Sequence, residues 1–438
     1  MERLERFFNT AGPMIREDHY CIDPLTRVDW EEIRRMIHNK RYFVMHAPRR
    51  TGKTSALMAM MRELSKEGRY ACAYSNIEMA QTARNDVTRG IASVCSAIST
   101  SLETHLGRSD IEGWFINECR GLPVDNQLFR LLKHWTITSD KPTVLFLDEV
   151  DALVGDTLVS VLRQLRTGYS DRPEGFPQSV VLCGVHDVRD YRIHQGSGEI
   201  ITGGSAFNIK TESLRLANFS HNEMKELWLQ HTKETGQAFD ESIFSELWDD
   251  TYGQPWLVNA LGQEVTWGVR AKRDRSSKIT LSDYKEARER LIQSRATHLD
   301  QLIDKLQEPR VYSVISGLLA SEENEVHAPP SDIEYVSGLG LIRTKPSVCI
   351  SNRIYREVIP RELTWSTQVM IANQEQGWYI TPDRRLDVPK LLRTIKMTPS
   401  PQTLRAGLCC IRQGYAQALS QSRHTLLRCT LRSSTYRR

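Results

Sequence analysis

The sequence predicts an α/β fold, a parallel sheet flanked by helices. Three observations carry that reading. Apolar runs of strand length recur at 41–46, 70–75, 142–147 and 179–184. Helical periodicity fills the gaps between them, as strand–helix alternation in a sheet covered on both faces requires. Two of the runs also end in groups that suit the carboxyl edge of such a sheet: Ala47–Thr54 after the first and Asp148-Glu149 after the third.

The first strand, Arg41-Tyr-Phe-Val-Met-His46, breaks into Ala-Pro-Arg-Arg-Thr-Gly and then a helical pattern from Lys53 to Lys66. Tyr70–Ser75 reads as the second strand and Arg84–Leu106 as a long helix with small apolar residues on one face. Pro142–Leu147 is β-branched and apolar throughout, the mark of a strand buried on both faces. Leu158, Val161, Leu162 and Leu165 recur at helical spacing, and Ser179–Gly184 is a further buried strand. After about residue 218 helices take over, at Asn222–Gly236, Glu241–Thr251, Pro255–Arg270 and Ser282–Leu306. Asp332–Gly340 is expected to be helical with a turn, and Leu341–Thr344 to pair with Val348–Ser351 as a hairpin. The polar stretch Ala271–Ser277 is the best linker candidate. The tryptophans at 228, 248, 256 and 267 are expected in the core.

At 438 residues the chain is long enough for two or three domains. Its 58 Lys+Arg against 54 Asp+Glu give a mild net charge of +4, which does not by itself point to nucleic acid. No apolar stretch approaches the ~18 residues of a membrane span, and the start carries no apolar core behind a basic end, so a cytoplasmic protein without membrane contact is expected. Nine scattered cysteines without a Cys-x-x-Cys pair exclude a zinc ribbon, and the size of the chain excludes a disulfide scaffold. Cys409, Cys410, His424 and Cys429 make a poor metal set for the same reason of spacing. The charge is uneven. Residues 388–438 hold ten Lys/Arg and no acid, which leaves 48 basic and 54 acidic residues, a net of −6, in the rest. That tail reads as a solvated end, or one whose coding frame has departed from its ancestor's. Binding to nucleic acid or acidic lipid is the alternative.

Ala47-Pro48-Arg49-Arg50-Thr51-Gly52-Lys53-Thr54 matches the phosphate-cradling loop G-x-x-x-x-G-K-[ST] except for Ala47 in place of the first glycine. Such a loop aims backbone N–H groups at phosphates, places an ammonium (Lys53) on the β/γ-phosphates and a hydroxyl (Thr54) on Mg²⁺. The helix N-terminus, with Ser55 in its first turn, adds a favourable dipole. Ala47 is expected to be tolerated. Asp148, at the end of a buried strand, is the expected Mg²⁺ holder. Glu149 is expected to orient and deprotonate a water attacking the γ-phosphate. A third polar group is expected at the end of the next strand, where His186 and Asp187 stand, with a merely satisfied strand-end residue as the equal alternative. Arg163, Arg166, Arg189 and Arg192 are all available to neutralise charge, and none stands out; Arg163 and Arg166 equally fit a solvated helix face.

With that loop, the acidic pair and Gly253-Gln-Pro255 in view, the chain resembles a bacterial AAA-like P-loop ATPase, close to the signal-transducing ATPases with numerous domains and to the archaeal-type ATPases. Further resembling stretches are Phe8–Gly12, His19–Asp23, Tyr42–Arg49, Cys183–Asp190, Phe207–Lys210, Gly253–Asn259 and Ile354–Arg361, and the likeness runs to about Leu392. It departs at Ser205-Ala-Phe-Asn208, where the family often has Ser-Pro-Phe-Asn. Some relatives continue into a nuclease-like domain with acidic ligands, and the acid-free tail cannot supply that activity. The resemblance implies a P-loop core over 1–217, a helical lid over 218–275, a helical and winged-helix-like domain over 276–365 and an extension over 366–438. It also implies that Pro255 approaches the nucleotide, that the base is adenine, and that oligomers and a protein or DNA partner are open to the winged segment. The expected function is an ATP-binding, Mg-dependent ATPase acting as a nucleotide-driven conformational switch. The alternative is a nucleic-acid-binding module with a regulatory or non-hydrolysing nucleotide site.

Overall fold

Alternating side chains along each central strand decide the layering. In the computed structural model, which describes residues 5–119, 121–185, 192–194, 200–202, 210–294, 304–320 and 328–361, the strands β1 (Tyr42–His46), β2 (Ala71–Asn76), β3 (Thr143–Asp148), β4 (Ser179–Gly184) and β7 (Lys210–Arg215) form one parallel sheet in the order β2-β3-β4-β1-β7. All the described residues fall in one compact unit that ends at Glu362. Tyr42, Val44, Leu145, Leu147, Val180 and Leu182 point into one core, shared with the helices α3 (Val87–Leu106), α5 (Val124–Ile137) and α6 (Gly155–Thr167). Phe43, Met45, Val144, Phe146, Val181 and Cys183 point into the other, against α1 (Trp30–His38) and α2 (Lys53–Glu67). With a period of two, both faces of every central strand are apolar, which is why those runs read as continuous hydrophobic segments. Between α3 and α5 lies a short helix, α4 (Asp110–Trp114), and a two-stranded ribbon, β5 (Arg192–His194) with β6 (Ile200–Thr202), precedes β7.

The registers bring the functional ends of the strands to one edge. Asn76 lies opposite Asp148, and His46 lies opposite both Gly184 and Arg215. Strand β7 was not expected from the sequence. Its residues Lys-Thr-Glu-Ser-Leu-Arg carry one apolar side chain, Leu214, that packs on the core, as befits an edge strand.

The helices α7 (His221–Thr235), α8 (Ser242–Thr251), α9 (Pro255–Gln263) and α10 (Leu281–Gln293) surround Trp228, which is fully buried and donates its indole N–H to Val258 O at 3.1 Å. Capping boxes begin α7, from Ser220 and Glu223, and α10, from Thr280 and Asp283. The N-terminal lead-in packs here too: Tyr20 OH meets His231 Nδ1 at 3.1 Å and Arg6 pairs with Glu234 at 2.6 Å. Asp250, with no exposure, accepts from Tyr284 OH (2.8 Å), Arg288 Nε (3.0 Å) and Arg353 Nε (2.6 Å), joining α8 and α10 to a helix over 353–361. Beyond α10, α11 (Pro309–Ala320) and α12 (Pro330–Gly338) precede a hairpin of β8 (Ile342–Arg343) and β9 (Cys349–Ile350), close to where one was expected.

Three expectations need correcting. The linker candidate 271–277 is held in place, because the buried Gln237 amide donates to Lys272 O (3.0 Å), Asp274 O (3.3 Å) and Ser277 O (2.9 Å). The helix expected to Arg270 leaves α geometry at Gln263 and passes through a π turn at Glu264–Gly268, and α10 stops at Gln293. Trp267 is not a core residue; it is 51% exposed and carries the Arg273 guanidinium on its ring. The tail 388–438, with its cysteines and His424, lies outside the described residues, as do Asp187 and Arg189. No helix among the described residues is long and apolar enough to cross a membrane, and no cluster of metal-binding side chains is found among them.

Gly253 is more than punctuation before Pro255. Its φ is +69°, and a Cβ there would lie 1.9 Å from Phe219 O, across a loop closed by Phe219 N–H donating to Gly253 O at 2.9 Å. Because backbone cannot move aside cheaply, Gly253→Ala should destabilise the fold by about 2 kcal/mol. Urea unfolding will check this; an unchanged midpoint would contradict the packing.

Candidate functional site

Between β1 and α2 the chain turns through Ala47–Gly52 at the carboxyl edge of the sheet. The Ala47 N–H still donates to Gly184 O at 3.2 Å, and its methyl is buried in the core. Positive φ falls later in the loop, at Arg50 (59°) and Gly52 (92°), so the missing first glycine was not needed. Thr51 is fully buried and donates to Pro48 O at 2.7 Å. The Lys53 ammonium, 6% exposed, donates to Ala47 O (3.1 Å) and Pro48 O (3.2 Å) of its own loop. An ammonium has three N–H donors, so these two bonds aim it and leave one for an anion.

Opposite stands Asp148, fully buried at the end of β3. Its Oδ2 accepts from Thr54 Oγ1 at 2.6 Å and from Tyr74 OH at 3.0 Å, and its Oδ1 accepts from the Glu149 N–H at 2.9 Å. Glu149 itself is in left-handed backbone geometry, φ 57°, which turns its side chain out of the strand direction. Burial raises its carboxyl pKa above the ordinary glutamate value, and the nearby Asp151 and Asp148 push the same way while Lys53 opposes them. The structure therefore brings Lys53, Thr54, Asp148 and Glu149 to one edge.

The other site residues divide. Pro48 and Arg49 line a cleft of about 1080 Å³ beside the loop. Arg50 instead places its guanidinium over the Trp256 ring, 5.4 Å from the centroid. Ser55 Oγ accepts the Met14 N–H at 3.0 Å, tying the first turn of α2 to the lead-in. Pro255 is buried at the start of α9 and does not line the cleft; its neighbours Tyr252 and Gln254 do. His186 lies outside the described residues. Arg163 and Arg166 are both exposed on α6, and of Arg192 only the backbone is described.

Sequence reading missed four residues. Arg27 donates through Nη1 to Thr51 O at 2.7 Å and through Nη2 to Ala217 O, clamping the loop from outside. Tyr74 braces Asp148. Asp151 Oδ1 accepts the Val185 N–H at 2.9 Å, joining the ends of β3 and β4. Arg215, at the end of β7, donates to Ser337 O at 2.9 Å. None of them belongs to a spacing motif; only Asp151, two residues past the acidic pair, had a sequence cue.

A Walker-type ATPase of Pyrococcus abyssi superposes with a TM-score of 0.55 at 15% identity, covering 81% of this chain and 99% of that one. The chain has the α/β P-loop fold of a Walker-type ATPase. The Aeropyrum pernix ORC2 protein, solved with ADPNP and ADP, gives a TM-score of 0.44 at 14% identity over 78% of this chain and 94% of its own. RuvB, the Holliday junction branch migration motor of Thermotoga maritima, gives 0.39 at 11% identity over 76% and 95%. No family model and no curated protein matches the sequence.

In this P-loop fold the raised Glu149 carboxyl has a measurable consequence. A carboxyl raised on folding favours its protonated form, so its stabilising contribution is whole below the unfolded value and is lost as pH rises through the folded one. Glu149→Gln keeps a neutral side chain at every pH. Its unfolding midpoint should exceed the wild type's at pH 7, and the gap should close as the pH falls to the ordinary glutamate range. A gap that widens on acidification would contradict this placement.

Proposed function

We propose that the chain binds Mg·ATP, hydrolyses it slowly and uses the cycle as a conformational switch. The observation that carries the proposal is the meeting of a buried Lys53 and a half-buried Thr54, at the start of α2, with Asp148 and Glu149 at the end of β3. Loop N–H groups and the α2 N-terminus would take the phosphates, and Lys53 would sit on the β/γ pair. The donor set fits Mg²⁺, since a hydroxyl and a carboxylate oxygen already in contact are hard oxygen ligands. When bound there, Mg²⁺ would neutralise charge on the phosphate oxygens. Thr54 and Asp148 would hold it, and Glu149 would take the proton from a water whose oxygen attacks the γ-phosphorus as the bond to the ADP oxygen breaks. Burial raises the basicity of Glu149, and the positive charge of Lys53 opposes that rise.

The switch part of the proposal rests on the cleft. Its far wall is the segment around α12 and β8, which touches the loop directly: a Cβ on Gly340 would lie 2.7 Å from Pro48 Cγ, and Arg215 reaches Ser337 O. Among the described residues, Arg49, Arg215, Lys305, Arg310, Arg343 and Lys345 line the cleft, against the single acid Asp151. A polyanionic nucleotide there would contact both walls, and a ligand shifts a conformational equilibrium only through such differential contact. The division at residues 217, 275 and 365, the lid and the winged-helix-like segment belong to the same proposal.

The test is Mg·ATP binding and phosphate release by the purified chain beside Lys53→Ala and Glu149→Gln, with and without duplex DNA. Wild type should turn over, Lys53→Ala should lose binding, and Glu149→Gln should bind normally while turning over roughly 100-fold more slowly. Turnover unchanged in Glu149→Gln, or no binding by wild type, would overturn the proposal. DNA affinity that falls steeply with salt in a chain without turnover would favour the nucleic-acid module instead.

A further inference from the structure

Asp148 accepts from three oxygen and nitrogen donors, and of these the Tyr74 phenol alone is outside the two phosphate-site motifs. Tyr74 stands two residues before the end of β2, the strand paired with β3 in a register that sets Tyr74 opposite Phe146 and Asn76 opposite Asp148. From there its hydroxyl reaches across to Asp148 Oδ2 at 3.0 Å, the same oxygen that Thr54 Oγ1 approaches at 2.6 Å. The Glu149 N–H holds the other oxygen. The ring is half-buried and edge-on to His105, with centroids 6.3 Å apart. The phenol O–H is a donor, and Asp148 Oδ2 is the acceptor it reaches.

Resting on the nucleotide reading above, we infer that Tyr74 is a positioning residue for divalent-cation binding. It acts through Asp148 and touches neither nucleotide nor cation. Thr54 does not do this work alone: the motif assigns its hydroxyl oxygen to the cation, so the placement of its proton follows the cation, whereas the phenol is placed by β2. Tyr74 and the Glu149 N–H put one such fixed donor on each carboxylate oxygen and hold the plane of the carboxylate before a cation arrives. Without the phenol, Oδ2 keeps only the Thr54 hydroxyl as an oxygen donor, and the carboxylate and that hydroxyl must be ordered together each time a cation binds. Donors behind a ligating carboxylate affect metal affinity by roughly ten-fold or more when removed.

The test is Tyr74→Phe, which deletes one oxygen and keeps the ring. Binding of a fluorescent ADP analogue is titrated in EDTA and then against rising Mg²⁺, and phosphate release is followed over the same Mg²⁺ range. The expected result is unchanged nucleotide binding in EDTA, which also shows that the variant is folded. The Mg²⁺ concentration at half effect should rise roughly ten-fold in both readouts, with turnover restored at saturating Mg²⁺. A midpoint equal to the wild type's would overturn the inference while leaving the nucleotide site standing. A Tyr74→Phe protein whose nucleotide binding already falls in EDTA would also overturn it, since the phenol would then be holding the loop rather than the cation's ligand. Wild type that binds no nucleotide under either condition would overturn the nucleotide reading first, and this inference with it.

Discussion

A carboxylate with no solvent exposure has to be met by donors, and Asp148 is such a carboxylate. Its donors come from three places: the first turn of α2, the strand β2 and the backbone just beyond β3. Satisfying it pins the start of α2 against the end of β3. That in turn dictates where the loop 47–52 must run, since the loop spans the gap between β1 and α2. Lys53 is the second buried charge, and its bonds to Ala47 O and Pro48 O close the loop on itself. The two charges are compensated separately, each by its own partners, and both stay at the same edge of the sheet.

Support for the loop comes from outside the sheet. Arg27, from the lead-in, holds the Thr51 carbonyl and the chain leaving β7; Met14 holds Ser55; and Arg50 lies on Trp256 of α9. The lead-in in turn is anchored on α7 through Tyr20 and Arg6. The helical layer is thereby joined to the loop through short, specific contacts. Within that layer the Asp250 cluster ties α8 and α10 to the 353–361 helix.

The central sheet was legible because β1, β3 and β4 are buried on both faces and so consist of uninterrupted apolar residues. The loop and the acidic pair were legible because phosphate chemistry needs particular residue types at fixed spacing. Strand β7 was not, because an edge strand beside β1 tolerates Glu212 and Ser213 and shows no apolar run. Tyr74 and Arg27 were invisible for another reason: each acts through a contact made across the fold, from Tyr74 to Asp148 and from Arg27 to Thr51, and no spacing along the chain encodes such a contact. The segment 271–277 misled because its polar composition matches a linker, while what fixes it is one buried side chain, Gln237, thirty-five residues from Lys272. Pro255 was placed near the nucleotide by resemblance, yet it is Tyr252 and Gln254 that line the cleft.

The central claim is that a nucleotide engages the loop and the facing wall together. Hydrogen–deuterium exchange of the full chain, with and without Mg·ATP, addresses it most directly, because it reads both walls in one experiment. The account predicts that ATP slows exchange at 47–55 and 143–149 and, in the same titration, at 335–345. Protection confined to the loop would contradict the two-walled cleft, and no protection at 47–55 would contradict the nucleotide site itself.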